Sequence, residues 1–154
     1  MQLNELLRPD LIKVELGADK KRLAISELVD QLVQYNELPM KQRDGVLDEL
    51  YANEESIGTG MEHGIAIPHV ATDRVDDVLC AIGTSKAGVP FRSLDGKAAR
   101  VVVLLLVPKR EYVAQVKAMR AVEKVLGQTE FLDKVVAAKT GQEVFDLIKA
   151  AEQG

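Results

Sequence analysis

At 154 residues, 47% hydrophobic and 29% charged, the chain has the size and balance of one ordinary globular domain, which excludes a fibrous repeat, a disordered polar tract or a pair of full domains. A net charge of −4 without any run of lysine or arginine excludes nonspecific binding to nucleic acid and adhesion to an anionic membrane surface. The longest apolar run, Val101 to Val107, is too short to span a bilayer, and the start MQLNELLRPD has neither region of a signal peptide, so no membrane insertion and a cytoplasmic location are expected.

In chain order, Asp19 is placed to cap a helix in which Ile25, Leu28, Val29, Leu32 and Val33 recur at helical spacing. Beyond Leu38-Pro39, the spacing of Val46, Leu47, Leu50 and Tyr51 predicts a second helix ending near Asn53. A glycine-rich loop from Gly58 to Gly64 leads into Ile65-Ala66-Ile67, a β-favouring run stopped by Pro68, which puts His69 just past a strand end. Val78, Cys80 and Ile82 alternate with Leu79, Ala81 and Gly83 along another strand. The single cysteine, Cys80, reads as core.

Lys86-Ala87-Gly88 and Leu94-Asp95-Gly96 have turn chemistry, with Val89-Pro90-Phe91 between them. The unbroken run Val101 to Val107, ended by Pro108, has the composition of a strand buried on both faces at the centre of a sheet. Val113, Val116, Met119, Val122 and Leu126 mark a helix, and Phe131, Leu132, Val135 and Val136 mark another. A Thr140-x-x-Glu143 capping box opens the last, with Val144, Leu147 and Ile148 on its apolar face. The sequence of helices, strands and helices predicts an α/β single domain over residues 1–154, with a mixed β-sheet of about five strands covered by helices on both faces.

The residue with most chemical interest is His69. A neutral imidazole nitrogen is a competent nucleophile when the other ring nitrogen donates to a fixed acceptor that holds the tautomer. Glycines 58, 60 and 64 allow backbone N–H groups to approach an anion closely. From the residues alone, a plain turn histidine with a satisfied hydrogen bond is the favoured reading. The loop is not a dinucleotide fingerprint, because that motif follows a strand and opens a helix. Glu62, His63 and His69 match no familiar tetrahedral metal spacing.

The segment Thr59-Gly60-Met61-Glu62-His63-Gly64-Ile65-Ala66-Ile67-Pro68-His69 resembles the signature T-G-x-x-x-G-I-A-I-P-H of the type-2 enzyme IIA domains of the phosphotransferase system, the mannitol, fructose and nitrogen-regulatory branch. The resemblance extends through Val89-Pro90-Phe91, Leu94-Asp95-Gly96 and the strand ending Leu105-Leu106-Val107-Pro108, and so covers nearly the whole chain. It implies a phosphocarrier with no cofactor, which accepts a phosphoryl group on His69 from an HPr-like carrier. The group then passes to a cysteine of an enzyme IIB or serves as a signal to a regulatory target protein. The alternative is a regulatory binding module of the same fold with slow or no phosphotransfer.

Two departures from the family pattern fall at the site. Where the family usually has Arg-Glu, this chain has Asn53-Glu54, and asparagine lacks the bidentate match of arginine to a phosphoryl group. Arg74, Lys109 and Arg110 are the candidate replacements. Gln115 stands where many members carry a second histidine, and it can donate a hydrogen bond but cannot share a proton. The expected supporting set is therefore Asn53, Glu54, Thr59, Gly60, Gly64 and Gln115, and the isolated domain implies partners on separate chains.

Overall fold

Consecutive side chains from Val101 to Val107 all lie out of solvent, and because a strand turns successive side chains to opposite faces, the sheet they belong to is covered on both sides. The computed structural model describes residues 1–57, 62–92 and 95–153. Its elements are α1 (Leu3–Leu6), β1 (Ile12–Lys13), α2 (Lys21–Gln34), α3 (Arg43–Ile57), β2 (Ile65–Ala66), β3 (His69–Thr72), β4 (Leu79–Val89), β5 (Ala99–Pro108), α4 (Tyr112–Leu126), α5 (Thr129–Ala137) and α6 (Gly141–Gln153).

The five strands form one mixed sheet. β4 runs antiparallel to β5, with Ile82 opposite Val103, and carries β1 in parallel on its outer side. Along its other edge β5 pairs in parallel with β2, Ile65 beside Val101, and then with β3, His69 beside Leu105. Helices α2 and α3 pack on each other and on β3 and β4, while α4, α5 and α6 pack together against β5, β4 and β1. One continuous core joins both layers to the sheet, so the architecture is the one predicted from the sequence.

Several local expectations are corrected. Asp19 does not cap α2. The N-cap is Lys20 without a side-chain bond, and the preceding loop is held instead by Glu27, whose carboxylate accepts Gly17 N and Ala18 N, both at 3.0 Å. Helix α3 runs on past Asn53 to Ile57. Lys86-Ala87-Gly88 makes no hairpin turn: β4 continues to Val89 through a register shift after Thr84. There the Ser85 hydroxyl accepts Gly88 N at 3.0 Å, and Gly88 takes φ +85, so the turn chemistry produces a bulge. Leu94 lies outside the described residues, and Asp95-Gly96 does bend. Thr140 bonds Glu143 N at 3.1 Å, but the Glu143 carboxylate reaches back to Lys139 N rather than to Thr140 N. At the other end of the fold, Glu152 accepts Leu3 N at 2.6 Å and Asn4 N at 2.8 Å, so α6 caps α1.

Among the described residues no helix is long and apolar enough to cross a membrane.

Candidate functional site around His69

The edge of the sheet next to β5 is one strand broken in two. Pro68 has no N–H to give, so β2 and β3 are separated at Ile67-Pro68, although the register with β5 carries through the gap and the Pro68 carbonyl accepts Leu105 N at 3.0 Å. The Ile67 carbonyl lies 2.7 Å from Nδ1 of His69, two residues on. A carbonyl oxygen only accepts, so Nδ1 carries a proton, and in the neutral ring Nε2 is left with its lone pair. His69 is half-buried, stands just past the end of β2 and opens β3.

Helix α3 fixes the backbone at this point. Asn53 Nδ2 donates to the His69 carbonyl at 2.6 Å, joining the helix to the first residue of β3. The asparagine that replaces the family's arginine is thus committed to the histidine's main chain. Loss of that bond in Asn53→Ala leaves a part-buried carbonyl without its side-chain partner, and the expected cost is about 1–2 kcal/mol in a urea titration. Glu54, the next residue, is 4% exposed, and among the described residues no buried side-chain polar atom lacks a partner.

The three candidate replacement cations are each engaged. Arg74 Nε binds Glu49 Oε2 at 2.9 Å and its Nη1 binds Gln42 Oε1 at 3.0 Å. Lys109 pairs with Asp73 at 3.7 Å, and Arg110 donates to the Asp76 carbonyl at 3.3 Å. Gln115 is half-buried in the first turn of α4, where its backbone N–H meets the Glu111 carbonyl at 3.3 Å, and among the described residues its side chain forms no hydrogen bond to His69.

Gly64 is buried and belongs to the turn before β2, with φ +83. His63 beside it has φ 66 and donates its N–H to Asp95 Oδ2 at 3.0 Å, while Asp95 Oδ1 accepts Lys97 N at 3.0 Å. This turn launches β2 at the level of Val101, whereas His69 is level with Leu105, roughly 13 Å farther along at the rise of a strand. Thr59 and Gly60 lie outside the described residues, so the first half of the signature has no structural account.

Sequence reasoning missed two groups that act on His69 or its strand, the Ile67 carbonyl and Glu49. The carbonyl had a signal, because Pro68 interrupts pairing just where an acceptor is needed. Glu49 had only its spacing of four from Asn53.

The profile of the family described as "Phosphoenolpyruvate-dependent sugar phosphotransferase system, EIIA 2" matches residues 5–151. Among curated proteins, the chain is 30% identical over 139 residues to a PTS system fructose-specific EIIA component of Haloferax volcanii, covering 90% of this chain and 89% of that one. It is 28% identical over 148 residues to a PTS system fructose-specific EIIABC component of Bacillus subtilis (strain 168), covering 96% of this chain but only 23% of that longer protein. Among solved structures, the nitrogen regulatory protein IIA-Ntr of Neisseria meningitidis superposes with a TM-score of 0.84 at 22% identity, covering 95% of this chain and 98% of that one. A complex of enzyme IIA-mannitol with phosphorylated enzyme IIB-mannitol from Escherichia coli gives 0.75 at 20% identity, covering 94% of this chain and 97% of the matched chain. With the family profile spanning nearly all of its length and the strand break at Ile67-Pro68-His69 in place, the chain belongs to the EIIA type-2 family of the phosphoenolpyruvate-dependent sugar phosphotransferase system.

Proposed function

We propose that this protein is a cytoplasmic phosphocarrier in which His69 Nε2 takes a phosphoryl group from the histidine of an HPr-like protein. The group then goes to a cysteine of an enzyme IIB or is held as a signal for a regulatory target protein. The observation that carries this reading is the 2.7 Å contact between His69 Nδ1 and the Ile67 carbonyl. It frees Nε2 as nucleophile and supplies a fixed acceptor for the positive charge that grows on the ring as Nε2 bonds to phosphorus. As that bond forms, the phosphorus–nitrogen bond of the donor breaks and its electron pair returns to the donor ring. Backbone donors of the Thr59-Gly60 loop and the Gln115 amide are the proposed partners of the phosphoryl oxygens, Glu54 supports that loop, and Gly64 shapes the turn that sends the chain into β2. A complex of a similarly folded IIA domain with phosphorylated IIB supports an enzyme IIB as the acceptor.

The test is nitrogen-15 NMR of histidine-labelled protein before and after phosphorylation. The free protein is expected to show the Nδ1–H tautomer at His69, and the phosphorylated protein a phosphorus coupling at Nε2. A phosphoryl group on Nδ1 contradicts the assignment.

One observation favours a second reading, a regulatory module with slow transfer. Arg74, Lys109, Arg110 and Asn53 are all bound to other groups rather than to the ring. Phosphorylation of this chain that is far slower than that of a transport IIA given the same HPr would support it, and a matching rate would remove it.

A further inference from the structure

We propose that Glu49 is a positioning residue for His69, acting through a clamp on the far end of β3; this rests on the reading of His69 as the phosphoryl acceptor. β3 is four residues long and lies at the sheet edge, where among the described strands it pairs only with β5. Its other side is held by α3. The first residue is tied through its carbonyl to Asn53. The last, Thr72, is fully buried and donates its hydroxyl to Glu49 Oε2 at 2.8 Å.

The same carboxylate oxygen accepts Arg74 Nε at 2.9 Å, and the Thr72 hydroxyl in turn accepts Arg74 N at 3.2 Å. A closed ring of three residues results, anchored outward by Arg74 Nη1 on Gln42 Oε1 at 3.0 Å. Glu49 and Asn53 are one helical turn apart and so share a face of α3, which places one tether at each end of β3. Gly45, one turn before Glu49, leaves room for the arginine: a Cβ there would overlap the Arg74 guanidinium.

The clamp bears on chemistry because a rigid relation is needed between the His69 ring and the Ile67 carbonyl two residues earlier. Ile67 lies between β2 and β3, beside a proline with no N–H for the ladder, while His69 is held within β3. A strand free to slide at Thr72 would loosen the Nδ1 contact and misplace Nε2. In-line transfer is sensitive to such errors, about a hundredfold for a displacement near 1 Å.

The experiment uses the full chain with Glu49→Ala and Glu49→Gln, histidine-labelled. The Glu49 side chain is 31% exposed, so both variants are expected to fold. Glu49→Ala is expected to slow phosphoryl acceptance at saturating HPr by roughly tenfold or more, with the half-saturating HPr concentration unchanged and His69 Nδ1–H exchanging faster with water. Glu49→Gln keeps an oxygen for Thr72 and is expected to recover most of the rate. Wild-type rate and exchange in Glu49→Ala, with only a lower melting temperature, would overturn the proposal and leave Glu49 a stabilising residue alone. Should the wild-type chain accept no phosphoryl group, the phosphocarrier reading falls instead. The exchange arm then decides the clamp by itself: faster exchange in Glu49→Ala supports it, and unchanged exchange removes it.

Discussion

His69→Ala is expected to lose all acid-labile phosphorylation while keeping the circular dichroism spectrum and a melting temperature near that of the wild type. The imidazole is the only described side chain that combines half-burial, a bound Nδ1 and a free Nε2 at a break in the sheet edge. Its removal costs the fold one hydrogen bond, about 1 kcal/mol, which is a small part of the stability of a domain this size. The informative control is His63→Asn. His63 has φ 66, a conformation that asparagine tolerates better than alanine, and its backbone N–H, kept in the variant, bonds Asp95. Labelling of His63→Asn is expected to match the wild type. Loss of label in that variant, with label kept in His69→Ala, would move the nucleophile to the wrong end of β2.

The second large effect is on stability. Leu104→Ala is expected to destabilise the protein by about 2–5 kcal/mol in urea or thermal unfolding, because it opens a cavity that rigid neighbours cannot fill. Leu104 is fully buried in the strand that every other part of the sheet pairs with directly or through β4, and it stands opposite Ala81. Ala81 is too small to move into the space. A midpoint shift below what a surface substitution produces, about 0.5 kcal/mol, would mean that β5 is not the centre of the core.

The difference between these two sites shows what could be read in the sequence. Val101 to Val107 announced a central strand because burial on both faces leaves no room for polar alternation, and that requirement is local to the seven residues. The apolar stripes of α2, α4 and α5 were legible for the same reason. Lys86-Ala87-Gly88 was not, because its residues favour a turn and only the distant partners Glu15 and Ala99 decide between a hairpin and a bulge. Asp19 was misassigned as a cap on local grounds, while a carboxylate ten residues along from Gly17 holds that loop.

The site divides in the same way. The reading of His69 as the acceptor rests on the resemblance, while its Nδ1 contact to the Ile67 carbonyl is visible only in the structure. The role of Asn53 was not: read as an absent arginine, it proves to hold the His69 carbonyl, a contact between residues 16 apart that no spacing rule contains. Glu49 and Thr72, 23 residues apart, were missed for that reason too. Thr59 and Gly60 fall outside the described residues.

The most direct measurement is intact mass at neutral to alkaline pH, after incubation with phosphoenolpyruvate, enzyme I and HPr, with His69→Ala alongside. The account predicts a single phosphoryl adduct on the wild-type chain and none on the variant. No adduct on the wild type, with the same enzyme I and HPr shown to phosphorylate another IIA protein, would contradict it.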